Sequence, residues 1–264
     1  MVVRSEPVRL DDTVAVVTGA SAGIGRSVAI RFAAQGARVL VHGRDPERTD
    51  AVARSVHGTA VVADLGTEHG RRDLITEAER QFGRIDVLVN NAGIGWSGPF
   101  TQMTVGEIRR IIEVDLLAAV ELTHAVLPGM LDRGRGAICF VSSIAGRTGV
   151  AGEAVYSATK AGLDAFAESL RFEAAGTGVH VGVVVPGVVN TGFFEKRGRP
   201  NERARPKPVP ADAVASAVLD AVTGRAEVWI PRWLRVASTI RAVTPSAYRR
   251  LATRFGEPIR LGLP

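Results

Sequence analysis

The stretch "VVTGASAGIG", residues 16 to 25, links a short apolar run to a segment with helical spacing and contains glycines at 19, 23 and 25. Glycines in such a turn allow a tight bend and let backbone N–H groups at a helix start approach a pyrophosphate. The spacing is neither the common dinucleotide fingerprint nor a Walker A loop, which needs Gly-Lys-Ser/Thr. A glycine-rich turn can serve only to reverse the chain, but its position after the first strand favours nucleotide binding.

The rest of the chain repeats this alternation of strand and helix. Runs that are apolar on both faces of a strand, each followed by a helix, require a parallel sheet covered on both sides. We therefore predict an α/β fold, a doubly wound parallel sheet (Rossmann-like) of about seven strands with helices on both faces, and a ligand crevice at the carboxyl ends of the strands. The predicted strands are 13–18, 37–42, 59–64, 85–90, 136–142, 179–185 and 227–231. The predicted helices are about 24–35, 46–56, 68–82, 104–132, 154–175 and 211–222.

Composition sets the broad class of protein. With 264 residues, 46% apolar and 23% charged, the chain is predicted to form one domain over 1–264. The single cysteine, Cys139, excludes an internal disulfide, and its apolar flanks predict a core residue in a reducing compartment. The start of the chain lacks a secretory signal and the longest apolar run is too short to span a bilayer, so we expect a cytoplasmic protein.

The net charge of +6 comes almost wholly from arginine, since the chain has three lysines. Aromatic residues make up only 5% of the sequence, so we expect no nucleic-acid binding. The five histidines have no metal-ligand spacing, and no metal site is predicted.

Tyr156 and Lys160 are four residues apart in "YSATK", which places both side chains on one face of a predicted helix. A neighbouring ammonium favours the phenolate, so we expect Lys160 to lower the pKa of Tyr156 from about 10. Tyr156 would then be a general acid or base near neutral pH. The alternative is a helix with one surface lysine and one half-buried tyrosine.

Five motifs in order decide between these alternatives: "TGASAGIG", "NNAG" at 90 to 93, "SS" at 142 and 143, "YSATK" at 156 to 160 and "PGVVNT" at 186 to 191. Together they resemble the short-chain dehydrogenase/reductase family in its compact single-domain form. The resemblance implies that Tyr156 exchanges the proton of the substrate oxygen, that Lys160 lowers its pKa and holds the nicotinamide ribose, and that Ser143 hydrogen-bonds the same oxygen. Ser142 is then a neighbour without a role in catalysis.

The resemblance also implies a set of cofactor contacts. Asp64 would meet the adenine, residues 91 to 93 would lie along the cofactor, and residues 186 to 191 would clasp the carboxamide side of the nicotinamide. The residues expected to bind the cofactor are Gly19, Ser21, Gly23, Ile24, Gly25, Arg44, Asp64, Leu65, Asn91, Ala92, Gly93, Tyr156, Lys160, Pro186, Gly187, Val189 and Thr191.

Asp115 departs from the family pattern, which usually has an asparagine there that helps to hold a water in the proton relay. Aspartate keeps the acceptor and loses the amide donor. Asp115 is therefore a candidate catalytic residue, and the alternative is a helix-packing residue.

The end of the second predicted strand, "VLVHGRDPER", bears on the choice of nicotinamide. Gly43 takes the position where NAD enzymes commonly carry an acidic ribose ligand, and Arg44 follows it. An arginine would bind a 2′-phosphate by charge-assisted hydrogen bonds, so NADP is favoured over NAD. The alternative is a surface Arg44 that pairs with Asp45.

Residues 190–210 are predicted to be a mobile loop, and the resemblance implies that residues 192–210, after the Pro-Gly motif, form a lid over the substrate. Phe193 and Phe194 would contact an apolar substrate or only pin the loop. A basic cluster would steer an anionic substrate or form a solvated face; it comprises Lys196, Arg197, Arg199, Arg203, Arg205 and Lys207.

Residues 231–264 read as a basic amphipathic C-terminal extension. Two runs of apolar residues recur at helical spacing beside arginines: Trp233, Val236, Ile240 and Val243, then Tyr248, Leu251 and Phe255. This face would pack on protein or lie on an anionic membrane surface, which would make the protein a peripheral membrane protein.

We therefore expect an NADP-preferring oxidoreductase that transfers a hydride between nicotinamide and a carbonyl/alcohol pair, with an apolar ketone as substrate and reduction as the favoured direction. The resemblance implies a homo-oligomer, a dimer or tetramer, paired through the helices at 104–132 and 154–175. The alternative is a cofactor-binding, catalytically silent scaffold at a membrane surface or in a complex. Fold alone does not decide between dehydrogenation, dehydration and epimerisation.

Overall fold

The structure is a computed structural model and is described over residues 9–197 and 207–255. The strands are β1 (Val14–Val17), β2 (Arg38–Gly43), β3 (Thr59–Val62), β4 (Val87–Asn90), β5 (Gly136–Val141), β6 (Val179–Pro186), β7 (Val189–Asn190), β8 (Val209–Pro210) and β9 (Glu227–Ile230). Seven of them form one sheet in the order β3-β2-β1-β4-β5-β6-β9, and every pair of neighbours is parallel. The predicted doubly wound parallel sheet is confirmed.

The helices are α1 (Gly23–Ala33), α2 (Pro46–Ser55), α3 (Glu68–Phe82), α4 (Val105–Ile112), α5 (Ala118–Asp132), α6 (Ile144–Thr148), α7 (Ala154–Glu173), α8 (Phe193–Lys196), α9 (Ala211–Val222), α10 (Leu234–Val243) and α11 (Pro245–Phe255). Side-chain caps fix several helix starts. Asp45 accepts a hydrogen bond from the Arg48 N–H, Thr67 accepts one from the Gly70 N–H, and Thr104 forms a capping box with Glu107.

Two apolar cores lie on opposite faces of the sheet, because successive side chains of a strand point to opposite sides. In β1, Val17 packs in the core that includes Phe32 of α1 and Val218 of α9. Its neighbour Val16 packs in the other core with Leu74 of α3 and Leu163 of α7. Cys139 is fully buried in β5, as predicted, and burial raises the pKa of its thiol.

The predicted helix over 104–132 is interrupted. Residues Glu113–Leu117, between α4 and α5, form a π-helical turn, which inserts one extra residue into the helical repeat. Asp115 lies in this turn and is 1% exposed. The π-helical turn decides where Asp115 points. Helical periodicity in the sequence does not reveal such a turn.

Residues 190–210 contain more secondary structure than predicted. β7 and β8 pair in parallel at the two ends of the segment, and α8 forms one helical turn directly after β7. Arg199, Arg203 and Arg205 of the predicted basic cluster lie outside the described residues, as does the side chain of Lys196. Within the described parts of the chain, no helix is both long enough and apolar enough to cross a membrane.

Candidate active site

One cleft of about 1310 Å³ lies at the carboxyl ends of the strands. Here the connections leave the sheet in opposite directions from β1 and β4, which is where open α/β sheets bind ligands. It brings together most of the predicted site residues: Gly19, Ser21, Gly23, Ile24, Arg44, Asp64, Leu65, Asn91, Ala92, Gly93, Ser143, Tyr156, Lys160, Pro186, Gly187, Val189 and Thr191. Gly25 and Asp115 do not line the cleft. Gly25 lies directly behind Gly19 and Asp115 directly behind Gly93, and both of these glycines line the cleft.

The glycine loop between β1 and α1 is packed against the "NNAG" segment. A Cβ at Gly19 would lie 2.9 Å from the Ala92 Cα, and Gly19 has φ +65°, so a side chain is excluded there. Asn91 Nδ2 donates to the Thr18 carbonyl at 2.8 Å, and Thr18 Oγ1 accepts from the N–H groups of Asn91 and Ala92, each at 2.9 Å. These bonds join the carboxyl ends of β1 and β4.

The start of α1 fits a pyrophosphate. Its N-cap residue, Ala22, offers no side-chain hydrogen bond, and the first turn has no acidic residue. The first N–H groups of a helix have no partner within the helix and carry partial positive charge, so they attract an anion. The predicted placement of a dinucleotide phosphate against this turn is consistent with that geometry.

His42 supports the glycine loop from β2, and sequence reasoning did not identify it. Its Nδ1 accepts from the Gly19 N–H at 3.2 Å and its Nε2 lies 3.1 Å from the Ala63 carbonyl. Because Nδ1 must accept, the proton is on Nε2 and the ring is neutral. Burial lowers the pKa of His42 to about 4, which keeps that tautomer at neutral pH.

Gly43 and Arg44 follow at the outer end of the cleft. A Cβ at Gly43 would lie 2.2 Å from Thr49 Oγ1, so an acidic side chain has no room at this position. Arg44 is exposed and lines the cleft. Asp45 pairs instead with Arg48 at 2.7 Å, so the expected alternative partner of Arg44 is engaged elsewhere.

Asp64 lies at the same end of the cleft, after β3. Arg110 Nη2 donates to its Oδ1 at 2.5 Å, and the Gly66 N–H donates to the same oxygen at 3.0 Å. The carboxylate is therefore held in place from two sides, and both bonds end on Oδ1. Arg110, on α4, was not identified from the sequence.

Ser143, Tyr156 and Lys160 meet at the inner end of the cleft. Ser143 follows β5 and caps α6, while Tyr156 and Lys160 lie one turn apart near the start of α7. Lys160 Nζ donates to the Val141 carbonyl at 3.2 Å and lies 5.6 Å from the centre of the Tyr156 ring. The predicted shared face of Tyr156 and Lys160 is thus observed in the structure.

The pKa of Tyr156 moves in the direction opposite to our expectation. Desolvation of the hydroxyl and the negative charge of Asp115 raise it, and a hydrogen bond with Ser143 only partly opposes them. Tyr156 is consequently protonated at neutral pH. The sequence suggested a lowered pKa because it showed the lysine and not the buried carboxylate.

Asp115 is paired with Lys160. Its Oδ1 accepts from the Ile94 N–H at 2.8 Å, and its Oδ2 lies 3.7 Å from Lys160 Nζ. This second oxygen is buried without a hydrogen-bond partner among the described residues. Burial raises the pKa of Asp115 from 3.8 to about 6, against the opposing charge of Lys160. The carboxyl group therefore contacts Lys160 and the segment that contains Ile94, in addition to the helical turn that holds it.

Residues 190–197 of the lid cover Tyr156. The Phe193 ring centre is 5.6 Å from that of Tyr156, and the Arg197 guanidinium lies 4.4 Å from the centre of the Phe194 ring. Arg197 also forms an ion pair with Glu153, and both side chains are largely buried. Arg197 thus anchors the lid segment, which differs from the predicted solvated or steering role.

A second, smaller cavity of about 270 Å³ adjoins the cleft and shares Gly98, Gly152, Glu153 and Tyr156 with it. Its remaining walls are almost wholly apolar and comprise Trp96, Pro99, Phe100, Met103, Ile111, Ala154 and Val155. Trp96 is fixed by a hydrogen bond of 3.1 Å from its Nε1 to Glu107. The aromatic residues of "GWSGPF", 95 to 100, were the available sign of this cavity in the sequence.

A doubly wound sheet with a glycine-lined cleft and a Ser-Tyr-Lys set defines an oxidoreductase of Rossmann-like fold. The profile of the family described as short chain dehydrogenase matches residues 13–202. The chain belongs to the short-chain dehydrogenase/reductase family, and it is an enzyme of that family.

Known relatives agree with this assignment. The ketoacyl reductase HetN of Nostoc sp. is 39% identical over 180 residues, which are 66% of this chain and 63% of HetN. A short-chain dehydrogenase from Sphingobium yanoikuyae in complex with NADPH has a TM-score of 0.79 and 28% identity, with 96% of this chain and 98% of that chain covered. The 3-ketoacyl-(acyl-carrier-protein) reductase of Brucella melitensis, complexed with NADH, has a TM-score of 0.77 and 26% identity, with 84% and 97% covered.

Proposed function

We propose that this protein is an NADP-preferring oxidoreductase that reduces the carbonyl group of an apolar ketone, with Tyr156 as the proton donor. The observation that carries the proposal is the meeting of Ser143, Tyr156 and Lys160 on one cleft, with the pKa of Tyr156 raised. A protonated phenol at neutral pH is suited to give a proton to a developing alkoxide. This favours reduction over oxidation.

Each of the three side chains has a distinct role in the proposal. The nicotinamide cofactor, when bound, supplies the hydride to the carbonyl carbon. The hydroxyl groups of Ser143 and Tyr156 hydrogen-bond the carbonyl oxygen, and the Tyr156 proton passes to it to complete the alcohol. The Lys160 ammonium, which retains donors beyond its bond to Val141, stabilises the phenolate that remains and holds the ribose.

We propose NADP over NAD because of the side chains available at residues 43 to 48. An acidic ribose ligand has no room at Gly43, and Arg44 has no carboxylate within salt-bridge distance among the residues that the structure describes. An arginine in this state can accept a phosphate without first breaking an ion pair. The HetN name and the NADPH complex of the Sphingobium relative support carbonyl reduction and NADP, while the Brucella relative shows that the fold also takes NADH.

An apolar substrate is proposed because apolar side chains surround Tyr156. Phe193 lies over its ring, and the side cavity next to it is lined by Trp96, Phe100 and Met103. Apolar walls with a few convergent polar groups are typical of sites for hydrophobic small molecules. The hydrocarbon part of the ketone would occupy this cavity while its oxygen faces Tyr156.

We also propose that the protein acts as a cytoplasmic homo-oligomer, a dimer or tetramer. Exposed apolar side chains lie on the helices that the family resemblance assigns to pairing, namely Val105, Ile112, Leu117 and Phe172. Exposed apolar side chains on helices that pair subunits are suited to protein contacts. Light scattering on the purified protein tests the state directly.

The test of the function combines cofactor titration with turnover. We expect NADPH to bind more tightly than NADH, and a panel of aliphatic and aromatic ketones to be reduced. Tyr156→Phe should lower kcat by about 10²- to 10⁴-fold and still bind NADPH, because it removes the hydroxyl that donates the proton and leaves the other cofactor contacts in place. Tyr248→Phe, at the chain's other tyrosine, is the matched control. Equal activity of Tyr156→Phe and wild type would show that Tyr156 is not the proton donor, and NADPH binding without turnover of any ketone would favour the scaffold alternative.

A further inference from the structure

The C-terminal helix α10 carries an apolar stripe that faces away from the protein. The stripe consists of Trp233, Val236, Ile240 and Val243, which recur at positions i, i+3, i+7 and i+10 of one helical face. Their exposed fractions are 53%, 58%, 39% and 74%. This stripe therefore does not pack on the described part of the same chain, which leaves a second protein surface or a membrane to cover it.

The opposite face of α10 is the one that docks. Leu234 is buried against Gly187. A Cβ added at Gly187 would lie 2.8 Å from the Leu234 Cδ1. Arg241 Nη1 donates to the Arg147 carbonyl at 2.5 Å. From α11, the Tyr248 hydroxyl lies 3.5 Å from the Thr148 carbonyl. The helix is thus fixed with its apolar stripe outward.

The charged residues of α10, α11 and the segments that flank them are of one sign. Between Glu227 and Glu257 the sequence has six arginines and no acidic residue. Of these, Arg232, Arg235, Arg241, Arg249 and Arg250 are exposed, and the side chains of Arg254, Leu251 and Phe255 lie outside the described residues. An apolar face beside a cluster of cations is complementary to a surface that contains both anionic groups and hydrocarbon.

We propose that α10 and α11 dock this protein on an anionic lipid surface, with the α10 stripe in the acyl boundary and the arginines against the headgroups. Amphipathic helices with aromatic anchors and a basic flank bind membranes in this way. A second copy of the chain is a less suitable occupant, since pairing two such faces would bring the arginine clusters together.

This docking goes beyond the proposed reductase activity and places the cleft beside the bilayer. The helix α6, on which Arg241 and Tyr248 rest, begins directly after Ser143. Leu234 touches the loop at Gly187 that lines the cleft. A lipid-soluble ketone could therefore reach the site from the membrane.

The direct test is co-sedimentation of the full-length protein with vesicles of phosphatidylcholine alone or with 30% phosphatidylglycerol, in about 0.05 M salt. Since each arginine near an anionic surface strengthens binding about fivefold, we expect the anionic vesicles to bind at least about tenfold more tightly. The binding should weaken in about 0.5 M salt because the charges are screened. Trp233→Phe should abolish any blue shift of tryptophan fluorescence that accompanies binding.

Two variants test separately the apolar groups and the arginines of the docking surface. Val236→Ser/Val243→Ser removes exposed apolar groups, and Arg249→Glu/Arg250→Glu reverses exposed charges, so both should fold. Each should weaken binding to anionic vesicles by about tenfold or more. The matched control is Leu131→Ser/Arg135→Glu, which alters an exposed apolar residue and an exposed arginine at the opposite end of the sheet.

The proposal is overturned if wild type does not bind anionic vesicles at low salt, or if the control weakens binding as much as the two variants. It is also overturned if Val236→Ser/Val243→Ser lowers the molar mass in light scattering and leaves vesicle binding unchanged, since the stripe would then join copies of the chain. None of these readings depends on turnover, so failure of the docking and failure of the reductase activity are distinguishable.

Discussion

The two ends of the cleft hold their charges in opposite ways. At the inner end, Lys160 and Asp115 are 5% and 0% exposed and face each other at 3.7 Å. At the outer end, Arg48 and Asp45 are 52% and 36% exposed, and Arg44 stands beside them in solvent. Buried charges are costly unless paired, whereas exposed pairs contribute little to folding. The inner end should therefore couple chemistry to stability, and the outer end should affect binding alone.

The largest expected effect is on the stability of the inner end. Lys160→Met keeps the apolar stem and removes the charge that faces Asp115. Because the carboxylate is then buried without compensation, we expect the free energy of unfolding at pH 8 to fall by about 3 to 5 kcal/mol. Urea denaturation measures this loss.

The exposed pair provides the control for that experiment. Arg48→Met breaks the contact with Asp45 and should change the free energy of unfolding by less than about 1 kcal/mol. Lys160 lowers the pKa of Asp115, so its removal raises that pKa further, and the loss should shrink as the pH falls from 8 and Asp115 takes up a proton. Equal losses for Lys160→Met and Arg48→Met would remove the distinction between the two ends.

The next effect is on cofactor affinity at the outer end. Arg44→Ala should weaken NADPH binding by about 10- to 100-fold, since a hydrogen bond to a charged group contributes roughly 1.5 to 3 kcal/mol. NADH affinity and unfolding midpoint should stay as in wild type. Fluorescence titration with each cofactor measures both affinities.

Arg48→Ala is the matched control, because Arg48 also lines the cleft but is already paired. We expect a smaller loss of NADPH affinity there. If wild type binds NADH as tightly as NADPH, the assignment of Arg44 to a 2′-phosphate is wrong, and the search for substrates should turn to alcohol oxidation.

A smaller effect is expected from the lid over the inner end. Phe193→Ala removes the ring that packs on Tyr156, and aromatic pairs contribute about 0.5 to 1.5 kcal/mol. We expect KM for an apolar ketone to rise about two- to tenfold with little change in kcat. Steady-state kinetics with Ile30→Ala, an exposed apolar residue of α1 outside the cleft, as the control would test this; an unchanged KM for Phe193→Ala would show that the lid ring does not touch substrate.

The same comparison explains what the sequence could and could not predict. Period and motif order sufficed for the seven strands, the main helices and the residues that line the cleft, because each depends on local spacing or on the carboxyl ends of parallel strands meeting. The raised pKa of Tyr156 was missed because it depends first on burial of the hydroxyl in the folded protein and then on Asp115, 41 residues away in sequence, which the π-helical turn directs to Lys160. His42 was missed for a similar reason: its partners, Gly19 and Ala63, come from two other segments.

Asp115→Asn introduces the residue that is usual in the family. We expect it to change the rate at neutral pH least, and to change the shape of the pH profile of kcat. Removing the negative charge should lower the pKa of Tyr156, because Asp115 is one of the causes that raise it. The alkaline limb of kcat for reduction, where Tyr156 loses its proton, should then move to lower pH. A pH profile of kcat at saturating NADPH and ketone measures the displacement.

Stability gives a second and independent reading of the same variant. The folded protein holds the Asp115 proton more tightly than the unfolded chain does, since the pKa is raised from 3.8 to about 6. The stability from this group is therefore fully present below about pH 4 and is lost as pH rises through about 6. The difference in unfolding free energy between wild type and Asp115→Asn should change across this window and be flat above it.

A difference that is constant from pH 4 to 7, together with an unmoved alkaline limb, would mean that Asp115 neither titrates in this window nor influences Tyr156. The inner end would then hold its charges no differently from the outer one.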